Sequence, residues 1–452
     1  MVFSKYNYLF ESKYGYLLYN ASSNAFIKLN KESYDKLKNI ETNSDLINEL
    51  SDASKEKLIE AKVFVNRDEQ IFYKKRINFY FNSFDSTNLG LALAPTTHCN
   101  FFCSYCYEET KRAIYMNEEV EQKVLDFIAG HNRVSKLNLT WYGGEPLLGF
   151  ESIKRLLYGI EKIPHMKLSD HAMTTNGYLL TKEKSQFFKN FPLDSVQITL
   201  DGTKEAHDKR RTLAPHRGPT FDVIIENIED FIFENPNTRV VIRANLDHSN
   251  SDTFIQIYTE LSERWRGKNV VVYPAFVTDF STVMNKANDK NFALNGCRDA
   301  CFTSSEKMVF FETLYQKYGL NVNFTPKYVV GGCGATILNY YVIGPKGELY
   351  KCWNDIGDDT LIVGSVFDNE ITNYDLLARY LGGPTMMDDE KCIECKLFPI
   401  CDGGCTWNRH KNIFENANMH LCSARLTNPE RSFELFYEQL MNISEASEVK
   451  VI

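Results

Sequence analysis

The chain lacks a long apolar run. Nowhere do about 18 apolar residues follow one another, the length that a membrane-crossing helix needs, so no span is expected. The opening residues, MVFSKYNYLF, lack the apolar core of a signal peptide, and the expected location is the cytoplasm. An excess of positive charge is also missing. The net charge is −8, which gives no general electrostatic case for binding nucleic acid or an anionic membrane. Cysteine, in contrast, is plentiful. Twelve cysteines in 452 residues, without an export signal, do not point to disulfides. All but Cys297 and Cys301 fall into two spaced sets, the pattern of metal or cluster ligation.

A chain of this length holds more than one core. Residues 1–68 read as a small domain of short strands (YNYLF, YGYLLYN, AFIKLN) and three short helices, a winged-helix-like arrangement. Residues 69–89 read as a linker that includes the basic YKKR. From residue 90 the pattern becomes alternating strands and helices. Strands are expected at LGLALAPT, KLNLTWYGG, HAMTTNG, SVQITLDG, RVVIRANLD and NVVVYPAFV. Amphipathic helices are expected at 117–130, 151–162, 182–190, 219–234 and 251–265. That alternation predicts an α/β fold, a partial (β/α)6 TIM-type barrel over 90–280, with an open doubly wound sheet as the alternative. A bridging region (281–330), a Cys-rich domain (331–430) and a closing helix (431–452) follow.

The first cysteine set, in CNFFCSYCYE, has the spacing C-x3-C-x2-C: Cys99, Cys103 and Cys106. Three thiolates suit a four-iron cluster with one iron left open for an external chelate. Zinc is the alternative, with adjacent His98 as a fourth ligand. Three further motifs close the next strands: GGEP (Gly143–Pro146), TNG (Thr175–Gly177) and LDG (Leu200–Gly202). In barrels of this type, strand C-termini form the active-site mouth, so all four motifs converge there. Singly, each glycine motif is an ordinary turn.

The C-x3-C-x2-C spacing with an aromatic before the third cysteine resembles the signature of radical SAM enzymes. The resemblance implies a [4Fe-4S] cluster that cleaves S-adenosylmethionine to a 5′-deoxyadenosyl radical, which takes hydrogen from a substrate. It also implies cofactor contacts. Gly143 and Gly144 would offer carbonyls, and Glu145 its carboxylate, to the methionine ammonium. Thr199 would meet the ribose, Tyr105 the adenine and Arg211 the carboxylate, with Asn176 a further candidate. The plain alternative for Arg211 is a solvated charge run with Lys209 and Arg210.

The second set is Cys333-x13-Gly347-x4-Cys352, then Cys392-x2-Cys395-x5-Cys401-x3-Cys405 and, after sixteen residues, Cys422. It resembles the SPASM domain of peptide-modifying radical SAM enzymes. The alternative is one or two zinc ribbons. The resemblance assigns Cys333, Cys352 and Cys405 to a first auxiliary [4Fe-4S] cluster and Cys392, Cys395, Cys401 and Cys422 to a second. With the radical SAM cluster, three clusters are expected. Relatives often supply a fourth ligand between the first two motif cysteines, and Gly334–Lys351 contains none. The resemblance therefore implies an open position for a substrate thiolate, or for Cys297 or Cys301, whose plain alternative is that of ordinary buried thiols.

Two families then compete. Anaerobic sulfatase-maturating enzymes make formylglycine; peptide maturases cross-link ribosomally made precursors. The former have an aspartate after the cysteine of G-x4-C. Here Cys352 is followed by Trp353, and the nearest acid is Asp355. The N-terminal domain weakly resembles a leader-recognition domain, the alternative being a structural cap. The sequence reading therefore favours a peptide maturase, thioether-forming or carbon–carbon-forming, whose partners are a precursor with its leader and an external donor such as a flavodoxin or ferredoxin. A zinc-bearing peptide adaptor is the non-enzymatic alternative.

Overall fold

The computed structural model describes residues 1–106, 113–278, 300–368, 370–383 and 385–447. Six parallel strands organise it: β1 (Asn88–Leu93), β2 (Lys136–Trp141), β3 (Lys167–Thr175), β4 (Ser195–Thr199), β5 (Arg239–Leu246) and β6 (Val270–Phe276). They lie side by side in chain order, without the order reversal of a doubly wound sheet. The fold is therefore the partial barrel. Along the strands, alternate residues such as Leu91, Leu139, Ile198 and Ile242 are buried in one core with Ile153, Leu157 and Ile228 of the covering helices. Among the described residues no helix is long and apolar enough to cross a membrane.

The Cys-rich region is continuous with the barrel. Its strand Tyr340–Ile343 pairs in parallel with β1, and Glu348–Tyr350 turns back on it. A Cβ at Gly90 would sit 2.6 Å from the Tyr340 ring, so that close approach needs glycine.

The N-terminal strands Asn7–Ser12, Gly15–Asn20 and Ala25–Leu29 form an antiparallel meander. One face, through Leu18, packs on Leu37, Ile40 and Ile47. The other carries Phe10 and Tyr19, which pack on Phe433 and Tyr437 of the closing helix, Pro429–Ser447.

Residues 69–89, expected as a linker, are corrected: Glu69–Ser83 is a 15-residue helix. Phe72 and Phe79 pack into the core while Tyr73, Ile77 and Phe81 are exposed. Apolar residues on both faces hide the one-sided period that would have announced a helix. Lys75 is fully buried, and its ammonium donates to the carbonyls of Phe398 (2.7 Å) and Cys401 (2.6 Å).

Within the bridging region, residues 281–299, Cys297 among them, lie outside the described residues, as do Tyr107–Arg112 beyond the first cysteine set. Cys301 is disulfide-bonded, against the expectation from composition, and so is not offered as a thiolate ligand.

Candidate active site

The loop after β1 carries the first cysteine set, and two backbone devices hold it. Gly144 N–H donates to Thr96 O (3.2 Å) and Glu145 N–H to His98 O (2.9 Å). Gly143 has φ +116°, and a Cβ at either Gly143 or Gly144 would meet a carbonyl of this loop at 2.4 Å. The glycine pair thus lets GGEP lie directly against the cysteine loop. The second device is a strand pair: Phe101–Cys103 runs antiparallel to Arg211–Leu213, which sets Arg211 opposite Cys103.

These contacts shape a cavity of about 380 Å³ at the strand C-termini. Cys99, Cys103 and Cys106 line it, with Tyr105, Gly143, Gly144, Asn176, Thr199 and Arg211. Arg211 is not part of a solvated run. It is 7% exposed, and only Lys209 of the trio faces solvent.

Glu145 stands behind the wall. Its carboxylate is fully buried and accepts from Thr175 Oγ1 (2.7 Å), Asn176 N–H (2.7 Å) and Leu147 N–H (3.0 Å). The carboxylate ties the end of β2 to the end of β3 and is not part of the cavity lining. Burial raises its pKa, opposed by those three donors. The Asn176 amide donates to Asn100 Oδ1 at 2.8 Å, and so fastens the same strand end to the cysteine loop.

Tyr105 is likewise committed. Its hydroxyl donates to Asp201 Oδ2 (2.5 Å) and accepts from Arg211 Nη1 (2.7 Å) and Asn245 Nδ2 (3.0 Å). Burial keeps the phenol protonated, raised well above its usual pKa, with Arg211 opposing and Asp201 adding to the shift. Burial acts to lower the Arg211 pKa, but Cys103, Tyr105 and Asp201 outweigh it, so the guanidinium stays charged. Arg211 Nε is buried without a hydrogen-bond partner among the described residues, a donor left over for a ligand.

Sequence reasoning gave no role to Asp201, Asn245 or Arg243, although Asp201 lies inside the LDG motif at the barrel mouth. Arg243 and Asn245 alternate on β5 and line the cavity. Polar residues two apart on a barrel strand were the missed signal, because a packed lumen takes bulky aliphatic residues.

The residues fit a thiolate-bound cluster with an amino-acid chelate beside it: soft donors, a buried cation and a glycine cradle meet in one cavity. His98, the fourth ligand that zinc would need, has its Nδ1 engaged with Tyr115 Oη (2.6 Å).

Residues 93–261 match the Radical SAM superfamily. The chain carries a radical SAM domain. It is 24% identical over 389 residues to a cysteine-type anaerobic sulfatase-maturating enzyme of Clostridium novyi, covering 80% of this chain and 97% of the relative. It is 24% identical over 348 residues to the radical SAM cyclopropyl synthase TigE of Paramaledivibacter caminithermalis, covering 70% and 67%. Among solved structures, anSMEcpe with bound AdoMet and the Kp18Cys peptide has a TM-score of 0.60 at 19% identity, covering 79% of this chain and 99% of its own. Streptococcus suis SuiB bound to the precursor peptide SuiA has a TM-score of 0.51 at 16% identity, covering 92% and 96%.

Beyond the radical SAM domain the C-terminal cysteines form two neighbourhoods. Burial raises the Cys352 thiol well above its usual pKa, and Asp355, Cys333 and Cys405 add to the shift, so the three thiols are neighbours. Cys401 is raised by burial, then Asp402 and Cys392. Arg409 Nη2 lies 3.6 Å from Cys392 Sγ and donates to Gly403 O (3.1 Å). Cys395 follows Cys392 in one turn, its N–H on the Cys392 carbonyl (3.1 Å). A Cβ at Gly404 would lie 2.2 Å from Leu421 O, which brings the Cys422 segment against the Cys401–Cys405 loop.

Cys352 opens the 3-10 turn Trp353–Asp355, and the turn separates two side chains. Trp353 faces the cofactor cavity, stacked on Tyr142 at 5.2 Å. Asp355 is fully buried in the other direction and accepts from Tyr380 Oη (2.7 Å) and Trp407 Nε1 (2.9 Å).

Proposed function

We propose that this chain is a radical SAM peptide maturase that installs a cross-link, a thioether, in a ribosomally made precursor. The observation that carries this reading is Trp353. It occupies the cavity wall where formylglycine chemistry by the resemblance needs an acid, and an indole accepts no proton there. Asp355, the nearest acid, is bonded into the core. The greater share of the chain covered by the SuiB likeness supports the same reading.

In this reading Cys99, Cys103 and Cys106 hold the radical SAM cluster, and two auxiliary clusters use the two C-terminal neighbourhoods. Together, cluster and S-adenosylmethionine supply a hydrogen-abstracting 5′-deoxyadenosyl radical when bound. Arg211 receives the cofactor carboxylate and Thr199 the ribose. Gly143 and Gly144 turn carbonyls to its ammonium, and Glu145 and Tyr105 hold that frame. An external donor such as a flavodoxin or ferredoxin supplies the starting electron. The peptide loses two hydrogens, one carried off in 5′-deoxyadenosine and one as a proton, and the electron is regained when the carbon–sulfur bond forms. Cys333 and Cys405 are exposed, which suits a substrate thiolate completing the first auxiliary set. The N-terminal meander ends in two outer strands, Asn7–Ser12 and Ala25–Leu29, either of which can take a leader as an added strand.

The test is anaerobic co-expression with a candidate precursor, followed by mass spectrometry. Loss of two hydrogens, located by fragmentation on a bond between two residues and inert to a carbonyl-reactive hydrazide, is the expected result. A hydrazide-reactive aldehyde would mean formylglycine chemistry instead.

A further inference from the structure

We propose that Arg243 is a specificity residue that receives a carboxylate of the peptide substrate. The inference rests on the peptide-maturase reading and deepens it, by naming the chemistry that the cavity selects.

Arg211 and Arg243 line the cofactor cavity and Arg210 lies over the Tyr105 ring beside it; Arg210 and Arg211 are already engaged. Arg210 pairs with Asp247 (2.7 Å) and lies 3.8 Å from Asp201. Arg211 sits on Tyr105, beside Asp201. Arg243 differs. Its Nε donates to Asn245 Oδ1 (2.8 Å), and among the described residues no carboxylate lies within ion-pair distance of it. It is half-buried on the cavity wall, where an uncompensated cation is costly unless a ligand completes it.

The ligand needs an anion that the cofactor does not spend. S-adenosylmethionine has one carboxylate, and Arg211, with its spare buried Nε, is placed for it. Arg243 is then left for the substrate. The neighbouring groups agree. Gln197, one strand away on the same wall, accepts from Tyr273 Oη through Oε1 (2.9 Å), and its amide hydrogens remain as donors. The guanidinium fork and an amide donor together match the two oxygens of a carboxylate. The fork also explains why an arginine stands at a barrel position that otherwise takes an aliphatic residue.

The experiment uses the full-length, reconstituted protein with S-adenosylmethionine bound, kept anaerobic. Random synthetic peptides are offered as two libraries, one amidated at the C-terminus and one with free C-termini. Retained peptides should be enriched in Asp and Glu over Asn and Gln by roughly tenfold, the scale of one charge-assisted pair. The net charge of −8 works against non-specific capture of acids, so such a bias is informative. A bias confined to free C-termini supports the carboxylate site and assigns it to the chain end. Arg243→Gln should remove the bias and Arg243→Lys should weaken it. Cofactor affinity, measured on the same samples by equilibrium dialysis, should fall less in Arg243→Gln than in Arg211→Gln. Retention without acidic bias would overturn the anion site alone. An Arg243→Gln defect in cofactor affinity as large as that of Arg211→Gln would overturn it too, by giving Arg243 to the cofactor. If no peptide of any sequence is retained, the peptide-maturase reading fails with it.

Discussion

The Tyr105 hydroxyl donates to Asp201 across 2.5 Å. That bond joins the cysteine loop to the end of β4, and the same hydroxyl takes a hydrogen bond from Arg211. Asp201 also accepts from Asn245 N–H (3.0 Å), so one buried carboxylate holds three separate strand ends around the cofactor cavity. Burial raises the Asp201 pKa, and Arg211 and Arg210 pull it back.

Asp201→Asn should therefore do more than remove a charge. It leaves Arg211 buried without its acid, a loss on the order of 3 kcal/mol in stability. Tyr105→Phe keeps the packing and deletes only the hydroxyl link, which costs about 1–2 kcal/mol. Denaturant unfolding of the two variants should rank them in that order, with weaker binding of S-adenosylmethionine in both.

Glu145→Gln tests the positioning role of the GGEP acid. An amide can satisfy some of the three donors that converge on Glu145, but it turns its own N–H₂ against at least one of them. A stability loss of about 1–3 kcal/mol is expected, together with weaker cofactor binding. Unchanged stability with lost binding would show that the carboxylate touches the cofactor directly.

Lys75→Met keeps the apolar stem and removes the ammonium that the carbonyls of Phe398 and Cys401 share. The Cys401 carbonyl then loses its ammonium donor, and the Phe398 carbonyl keeps only the long bond from Cys401 N–H (3.4 Å) at the start of the Cys401–Cys405 loop. Iron per chain should fall by about a third on the three-cluster reading, measured by iron assay on reconstituted protein. Loss of all iron, or none, would contradict the placement of this helix.

His171 should make the barrel acid-sensitive. Burial lowers its pKa to about 4, against partial support from the Pro192 carbonyl and Asp194. The ring accepts from Trp141 Nε1 (2.8 Å), so the neutral form is the one built in. Between the ordinary value near 6.5 and about 4, the unfolded chain binds the extra proton. Stability is therefore present above that window and lost as pH falls through it. From pH 7.5 to pH 5 the wild type should lose about 2 kcal/mol more than His171→Gln, which can keep both hydrogen bonds.

Much of this was legible in the chain. Apolar residues at every second position announced strands such as Arg239–Leu246, and amphipathic runs announced the helices between them. Cysteine spacing singled out residues that the cavity does gather, because thiol ligands on one loop need little long-range information. The pairing of Arg211 with Cys103 was not legible, since a strand register between residues over a hundred apart is a tertiary fact. Asp201 hid in a dipeptide that usually marks a turn. The direction of the Glu145 carboxylate was set by the end of β3, which the GGEP motif does not contain.

The central claim is that Cys99, Cys103 and Cys106 hold the cluster that cleaves S-adenosylmethionine at the barrel mouth. The direct measurement is 5′-deoxyadenosine released by the reconstituted protein under anaerobic reduction, for the wild type and for the variant with all three cysteines replaced by alanine. Release by the wild type, none by the variant, and about a third less iron in the variant are expected. Release by the variant at the wild-type rate would contradict the claim.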